Sequence, residues 1–259
     1  ANIDEKMLLE RCNKFVNTSN NTVTSDRNQR VMYFAGCMTS LTPSISKSTA
    51  AILQKAGIRF EIMDKDGGIC CGRPMLMAGR IAQAKEMIEK NTAIIKASGA
   101  DTLLLSCPIC YMIFKEQYQL EGIEVIHHTE FFDRLIESGK ITLNGSDTRY
   151  VYHDPCELGR GCGIYEQPRN VVRKAGELVE AEKHGKESIC CGGSLGSLTL
   201  GFDKRKALTE NALANLTIAS PDTIVTACPL CRSTFNRYSD IPVKDIAEIV
   251  DEATRKKKR

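Results

Sequence analysis

The sequence has no long hydrophobic segment. No apolar run approaches the roughly 18 residues that a membrane-spanning helix needs, and no stretch typical of a secretion signal stands at the start. The formal net charge of +3 is small for 259 residues and neither favours nor excludes an acidic partner. We interpret the basic tail at residues 255–259 as a solvated terminus. The sequence therefore predicts neither a membrane span nor nucleic-acid binding.

The compact C-x₂-C-x₂-C-x₃-C run of ordinary ferredoxins is also absent, although the chain contains 12 cysteines. Disulfide-dense chains are usually small and secreted, whereas a chain of 259 residues can bury a core of its own. We therefore interpret the cysteines as metal ligands or redox-active sulfur. They indicate a reducing, anaerobic and cytoplasmic environment.

Ten of the 12 cysteines form two copies of one pattern, C…CC-G…C-P-x-C. The single cysteine and the pair are separated by 32 residues in the first copy and 33 in the second, and the pair and C-P-x-C by 35 and 36. This repetition predicts one thiolate-bound metal or redox-active sulfur centre in each half. The first copy consists of Cys37, Cys70, Cys71, Cys107 and Cys110, and the second of Cys156, Cys190, Cys191, Cys228 and Cys231.

Short apolar runs alternate with segments of helical periodicity through most of the chain. This alternation predicts an α/β fold, with duplicated βαβ-type lobes, parallel sheets and pseudo-two-fold symmetry. We divide the chain into an N-terminal segment and linker (1–30), a first lobe (31–140), a second lobe (149–254) and the basic tail (255–259). Because the chain begins with Ala1, we expect a processed start or a piece of a longer protein.

The cysteines occupy equivalent places in the two predicted lobes. Each single cysteine and each C-P-x-C follows a predicted strand, and each pair lies in a Gly-rich loop. Ligand sites of open parallel sheets form outside the carboxyl ends of the strands. We therefore expect the five cysteines of each half to converge at one edge of a sheet.

Three kinds of chemistry would use such sulfurs. A structural zinc ion takes four ligands, which would leave one cysteine idle in both halves. A redox dithiol at C-P-x-C would explain only two cysteines in each half. An ordinary [4Fe–4S] cluster also needs four thiolates, so five indicate an unusual cluster in which a thiolate bridges irons.

Residues 31–253 resemble the CCG domain found in the B subunit of heterodisulfide reductase and in its relatives in lactate, glycolate and glycerol-3-phosphate oxidation. The resemblance implies two non-cubane [4Fe–4S] clusters, each held by the five cysteines of one copy. It also implies an iron–sulfur redox subunit of a larger oxidoreductase, with ferredoxin-like or flavoprotein partners through which any membrane contact would be made. The polar linker would then join this module to a preceding ferredoxin domain.

Several functions agree with that resemblance. The heterodisulfide reductases imply reduction of a small disulfide between the clusters. One alternative is a pure electron-transfer subunit of a flavin-linked 2-hydroxy-acid or glycerol-3-phosphate dehydrogenase, and another is a zinc-stabilised scaffold. A substrate-binding subunit is expected to leave an open cleft between the clusters, whereas both clusters of a relay are expected to be covered.

A few residues outside the ten cysteines have two interpretations each. His153, our candidate catalytic residue, precedes Cys156 by three positions, and it is either a proton or hydrogen-bond donor or a structural histidine. Cys162 could line a substrate path or act as a transient thiol, but we interpret it as a small buried residue. Cys12 belongs either to a helix face, which is our interpretation, or to the edge of a preceding cluster domain. We align the pair His127–His128 with Lys244–Asp245 of the second half, which argues against a shared ligand role.

Overall fold

Two four-stranded parallel sheets, one in each half of the chain, form the frame of the protein. This computed structural model describes residues 29–67 and 69–255, so the predictions about Cys12, the linker before residue 29 and residues 256–259 lie outside the described residues. The first half contains strands β1 (Arg30–Phe34), β2 (Arg59–Ile62), β3 (Thr102–Leu105) and β4 (Glu124–His127) and helices α1 (Pro43–Lys55), α2 (Arg73–Met77), α3 (Ile81–Ala97), α4 (Pro108–Gln117) and α5 (His128–Glu137). The second half contains strands β5 (Arg149–His153), β6 (Glu177–Val179), β7 (Thr223–Thr226) and β8 (Val243–Asp245) and helices α6 (Gly159–Cys162), α7 (Glu166–Ala175), α8 (Phe202–Thr217), α9 (Pro229–Phe235) and α10 (Ile246–Ala253).

The two sheets share one topology. Their strand orders are β2-β1-β3-β4 and β6-β5-β7-β8, and every neighbouring pair is parallel. The predicted α/β class with duplicated parallel lobes is confirmed, while the exact lobe boundaries at residues 140 and 149 stay a prediction. None of the helices in the described part of the chain has both the length and the apolar character that a membrane crossing requires.

The local sequence explains why cysteines lie at the ends of the central strands. The central strands β3 and β7 are buried at every position, as expected when helices cover both faces of a parallel sheet. Each is followed two residues later by an extended cysteine and then by a proline in the first position of a helix. Proline fits that position because its fixed φ suits a helix and its missing N–H has no helical partner there.

Helices from the two halves pack against each other. Helix α1 packs on α10, and α5 packs on α7, so one hydrophobic core extends across both halves. Polar contacts reinforce this interface. Lys55 Nζ lies 2.7 Å from Asp251 Oδ1, and His128 Nε2 lies 3.3 Å from Asp245 Oδ1 with both side chains fully buried.

Strand register corrects one alignment made from the sequence. His127 pairs with the last residue of β3, and Asp245 pairs with the last residue of β7. Both residues are N-caps with a capping box, formed with Glu130 on α5 and Glu248 on α10. His127 therefore corresponds to Asp245 rather than to Lys244, because the sequence offered no marker of register in these short strands.

Candidate metal centres

The five cysteines of the first copy meet at the carboxyl edge of the first sheet, as predicted. Cys37 begins a short 3₁₀ helix, Cys37–Leu41, just after β1. Cys70 and Cys71 lie in the loop before α2, Cys107 is the N-cap of α4, and Cys110 lies in its first turn. Strand ends and a helix start thus bring distant sulfurs to one place.

A continuous series of thiol contacts joins these sulfurs. Cys37 and Cys71 donate hydrogen bonds to Cys70, and Cys110 contacts both Cys71 and Cys107, to either of which its single thiol proton can be donated. We call these five sulfurs the first centre. Cys37 is exposed and Cys70 is half-buried, whereas the other three are buried, so most of the centre is shielded from solvent.

The second copy repeats this series of contacts, and we call its five sulfurs the second centre. Cys156 and Cys191 donate to Cys190, and Cys231 contacts both Cys191 and Cys228, to either of which its single thiol proton can be donated. Cys156 and Cys190 are half-buried, and the other three are buried. The predicted grouping into two sets of five therefore agrees with the contacts, while their role as ligands stays a proposal.

In each centre, neighbouring donors favour the ionised form of the first sulfur of the adjacent cysteine pair. The pKa of Cys70 falls to about 2 because the thiols of Cys37 and Cys71 donate to it, together with the backbone N–H of Gly72. The pKa of Cys190 falls to about 2 for matching reasons. The pKa values of Cys37 and Cys110 are raised because each thiol donates to a neighbouring sulfur, whereas the pKa of Cys107 is lowered because the thiol of Cys110 lies beside it. Several anionic sulfurs so close together would repel one another. A cation placed among them would offset that repulsion and let them ionise.

Different carboxylates hold the loops of the single cysteines. In the first half, Asp64 Oδ2 accepts the N–H of Gly36 at 2.7 Å, directly before the first cysteine. In the second half, Asp154 is buried, binds both terminal nitrogens of Arg169 at 2.7 and 2.8 Å, and accepts the N–H of Gly185 at 2.7 Å. Sequence reasoning missed this ion pair because its partners are 15 residues apart and carry no motif.

His153 lies beside the second centre. A ring nitrogen of His153 and the Sγ atoms of Cys191 and Cys231 all lie within 4.8 Å of one another. Burial lowers the pKa of His153 to about 4, although the nearby charges of Asp154 and Cys190 oppose this effect. The imidazole is therefore neutral near pH 7.

Cys162 lies outside both series of contacts. It is the last residue of α6 and is half-buried. Burial raises the pKa of its thiol to about 12, with Lys115 opposing and Glu157 adding to the shift. Its sulfur therefore stays a thiol at neutral pH, unlike those of Cys70 and Cys190.

The two centres share a border. Arg73, which follows the first C-C-G, lies 3.7 Å from Glu157, which follows Cys156. Met38, which follows Cys37, and Gly193, which follows the second C-C-G, both line one cleft. Residues adjacent to both centres therefore meet at the junction of the two halves.

The cleft has a volume of about 210 Å³ and is partly open to solvent. Its described lining combines cationic side chains with apolar ones and includes no acidic residue. The cationic residues are Arg205, Lys206 and Arg237, and the large apolar residues are Met38, Leu41, Phe202 and Leu230. Such a lining suits a small ligand that carries negative charge and an apolar part.

Comparison with known families identifies the repeated unit. The family model described as "CCG: Cysteine-rich domain" matches twice, at residues 31–115 and 150–236. The chain belongs to the CCG cysteine-rich domain family. Each match includes the five cysteines of one centre, so the two centres correspond to the two CCG domains.

Relatives of this double CCG unit are named as redox proteins. The chain is 31% identical over 241 residues to the D subunit of the dihydromethanophenazine:CoB–CoM heterodisulfide reductase of Methanosarcina acetivorans, covering 86% of this chain and 58% of that protein. It is 29% identical over 214 residues to the EtfAB:quinone oxidoreductase of Syntrophomonas wolfei, covering 77% and 30%. It is 25% identical over 245 residues to an uncharacterized iron–sulfur protein of Methanococcus maripaludis, covering 90% and 48%. The chain thus spans about a third to three fifths of these relatives.

Proposed function

We propose that this chain is an iron–sulfur redox subunit of a larger oxidoreductase and holds two non-cubane [4Fe–4S] clusters, one in each centre. The observation that carries the proposal is the pair of five-sulfur series, joined in the same order in both halves. Names of relatives that include a heterodisulfide reductase subunit and an iron–sulfur protein support the same class. Ferredoxin-like or flavoprotein subunits are the partners we propose.

The donor set fits iron and sulfide better than zinc or a redox dithiol. Zinc would use four of five sulfurs, although all five are in one contact series. A dithiol would use C-P-x-C alone, although Cys110 and Cys231 each also contact a sulfur of the adjacent pair. Five thiols in one continuous contact series support a cluster in which one thiolate bridges irons.

The residues of the chain would hold and tune each cluster. The ten cysteines would supply its thiolate ligands, and a bound cluster would supply electrons one at a time. The backbone N–H groups of Gly72 and Gly192 donate to the sulfurs of Cys70 and Cys190 and so stabilise their negative charge. Asp64 holds the loop that presents Cys37, which fixes the direction of its sulfur.

The cleft supports disulfide reduction over a pure electron relay. It reaches Met38 beside Cys37 and Gly192 beside Cys191, so a small ligand there would lie next to both centres. Arg205 and Arg237 would attract an anionic disulfide. The reaction would add two electrons and two solvent protons to one S–S bond and yield two thiols.

Metal analysis tests the cofactor proposal. We expect about eight irons and eight acid-labile sulfides per chain after anaerobic purification. Cys71→Ser and Cys191→Ser should each lose about half of the iron and one set of electron paramagnetic resonance signals. Cys162→Ser is the matched control and should keep all the iron. Stoichiometric zinc without sulfide would overturn the proposal.

A second assay tests the substrate. Protein reduced with a viologen dye is mixed with 3,3′-dithiodipropionate, a small anionic disulfide, and dye oxidation and thiol release are followed together. We expect two thiols per two electrons, and weaker binding of the disulfide by Arg237→Gln. If the reduced clusters are oxidised by a quinone analogue but never by the disulfide, the chain is a relay.

A further inference from the structure

The two centres differ at one buried position beside their sulfurs. His153 is the last residue of β5, and Phe34 is the last residue of β1, the equivalent strand of the first half. Phe34 makes an edge-to-face contact with Phe114 at 5.1 Å, and His153 makes the matching contact with Phe235 at 4.7 Å. The imidazole thus takes the place of a phenyl ring in an otherwise repeated packing arrangement.

This imidazole has no hydrogen-bond partner among the described residues, although it is only 1% exposed. Buried polar groups nearly always have a partner, so such a group requires an explanation. The Sγ atoms of Cys191 and Cys231 lie within 4.8 Å of its ring nitrogen. The N–H of the neutral ring is therefore available to the sulfurs of the second centre.

We propose that His153 donates a hydrogen bond to one of the two ligand sulfurs beside it, Cys191 or Cys231, and thereby makes the second cluster easier to reduce than the first. The inference rests on the proposed clusters. A hydrogen bond to a thiolate ligand stabilises the extra negative charge of a reduced cluster, which raises its reduction potential. Phe34 has no N–H to offer the first cluster.

The position of the cleft suggests what the difference in reduction potential between the two clusters would do. Most of the cleft's described lining belongs to the second half, including Gly192 and Gly193, which directly follow Cys191, and only Met38 and Leu41 come from the first half. Electrons that settle on the cluster of higher potential would therefore be held beside the ligand. His153 would thus direct electrons to the second cluster without touching the substrate.

The test is a redox titration of the complete chain followed by electron paramagnetic resonance. His153→Phe copies the first half and removes the donor, and His153→Leu is a second variant without a donor. At a fixed ambient potential, we expect the ratio of reduced to oxidised second cluster to fall roughly tenfold, which equals about 59 mV for one electron. His153→Gln keeps an N–H and should retain most of the wild-type ratio.

Iron content separates the two proposals. A wild-type chain without iron and sulfide would overturn the proposed function itself. Eight irons in His153→Phe with both potentials unchanged would overturn the role of His153 alone. If neither donor-free variant assembles, wild-type protein labelled with ¹⁵N-histidine gives the answer. Weak nitrogen coupling on one cluster supports the hydrogen bond, whereas absent coupling, or coupling as strong as direct ligation, overturns it.

Discussion

Arg73 Nη2 lies 3.7 Å from Glu157 Oε1, and this contact joins a residue of the first C-C-G loop to the residue after Cys156. The duplication places Gly193 at the position of Arg73 and Met38 at the position of Glu157. Where the first pair forms an ion pair, the second pair borders the open cleft. Of the two equivalent positions between the centres, the one with Arg73 and Glu157 is therefore closed by an ion pair. The one with Gly193 and Met38 is open.

Removal of the ion pair between Arg73 and Glu157 should make the first centre more accessible to solvent. In Arg73→Gly, we expect a chelator to remove iron from that centre several-fold faster than from wild type, because the loop after Cys70 and Cys71 loses its ion pair with Glu157. Global stability should change by less than about 1 kcal/mol, since the pair is partly exposed. Lys90→Ala breaks a remote exposed ion pair and is the control. Equal chelation rates in all three proteins would show that the ion pair does not limit access.

Gly193 should be indispensable to the second centre. A Cβ at this position would clash with Thr234 Oγ1, at a separation that real side chains do not show. We expect Gly193→Ala to displace the loop after Cys191 and to lose about half of the iron. Adding Thr234→Ala removes the clashing oxygen and should restore the iron. If the double variant stays as deficient as Gly193→Ala, the clash with Thr234 is not the cause.

The buried contact between His128 and Asp245 should stabilise the interface of the two halves. Asp245 Oδ1 also accepts the N–H of Ala247 at 2.9 Å and caps α10. Asp245→Ala should cost about 2–4 kcal/mol, because it removes the cap and leaves the histidine without its neighbour. Asp245→Asn keeps an oxygen for the cap and should cost about half as much in denaturant unfolding at matched iron content. Equal losses would exclude a contribution from the cap.

The interface should also depend on pH through Asp251. Burial opposes ionisation of Asp251, but Lys55 and Arg255 outweigh it and hold its pKa below 3.8. A lowered folded-state pKa stabilises the fold above the unfolded pKa, and that stabilisation disappears as the pH falls through the folded value. We therefore expect Asp251→Asn to lower the free energy of unfolding by about 1 kcal/mol at pH 5–7.

The difference in the free energy of unfolding between wild type and Asp251→Asn should disappear as the pH falls below about 3.8, where the wild-type carboxyl gains its proton. Denaturant titrations of both proteins at several pH values measure it. Glu86→Gln removes an exposed carboxylate that pairs with Lys90 away from the interface, and it should leave the unfolding curve unchanged. A constant difference between wild type and Asp251→Asn across the whole pH range would contradict the assignment.

The α/β class, the duplication and the two sets of five cysteines can be predicted from the sequence alone. These are local properties, since apolar periodicity, a proline after an extended cysteine and a repeated spacing are all written along the chain. Because parallel strands end at a common edge, the convergence of each set of five also followed from the sequence. The place of His153 beside the second centre also followed from a local feature, since it precedes Cys156 by three positions.

The contacts between side chains of the two halves could not be predicted from the sequence, because they depend on tertiary packing. The ion pair of Arg73 with Glu157, the contact of His128 with Asp245 and the open cleft all depend on how α1 and α5 pack against α10 and α7. The equivalence of His127 with Asp245 required strand register, which short apolar strands do not encode by themselves. Long-range packing of two similar halves, rather than any local pattern, therefore produces their asymmetry.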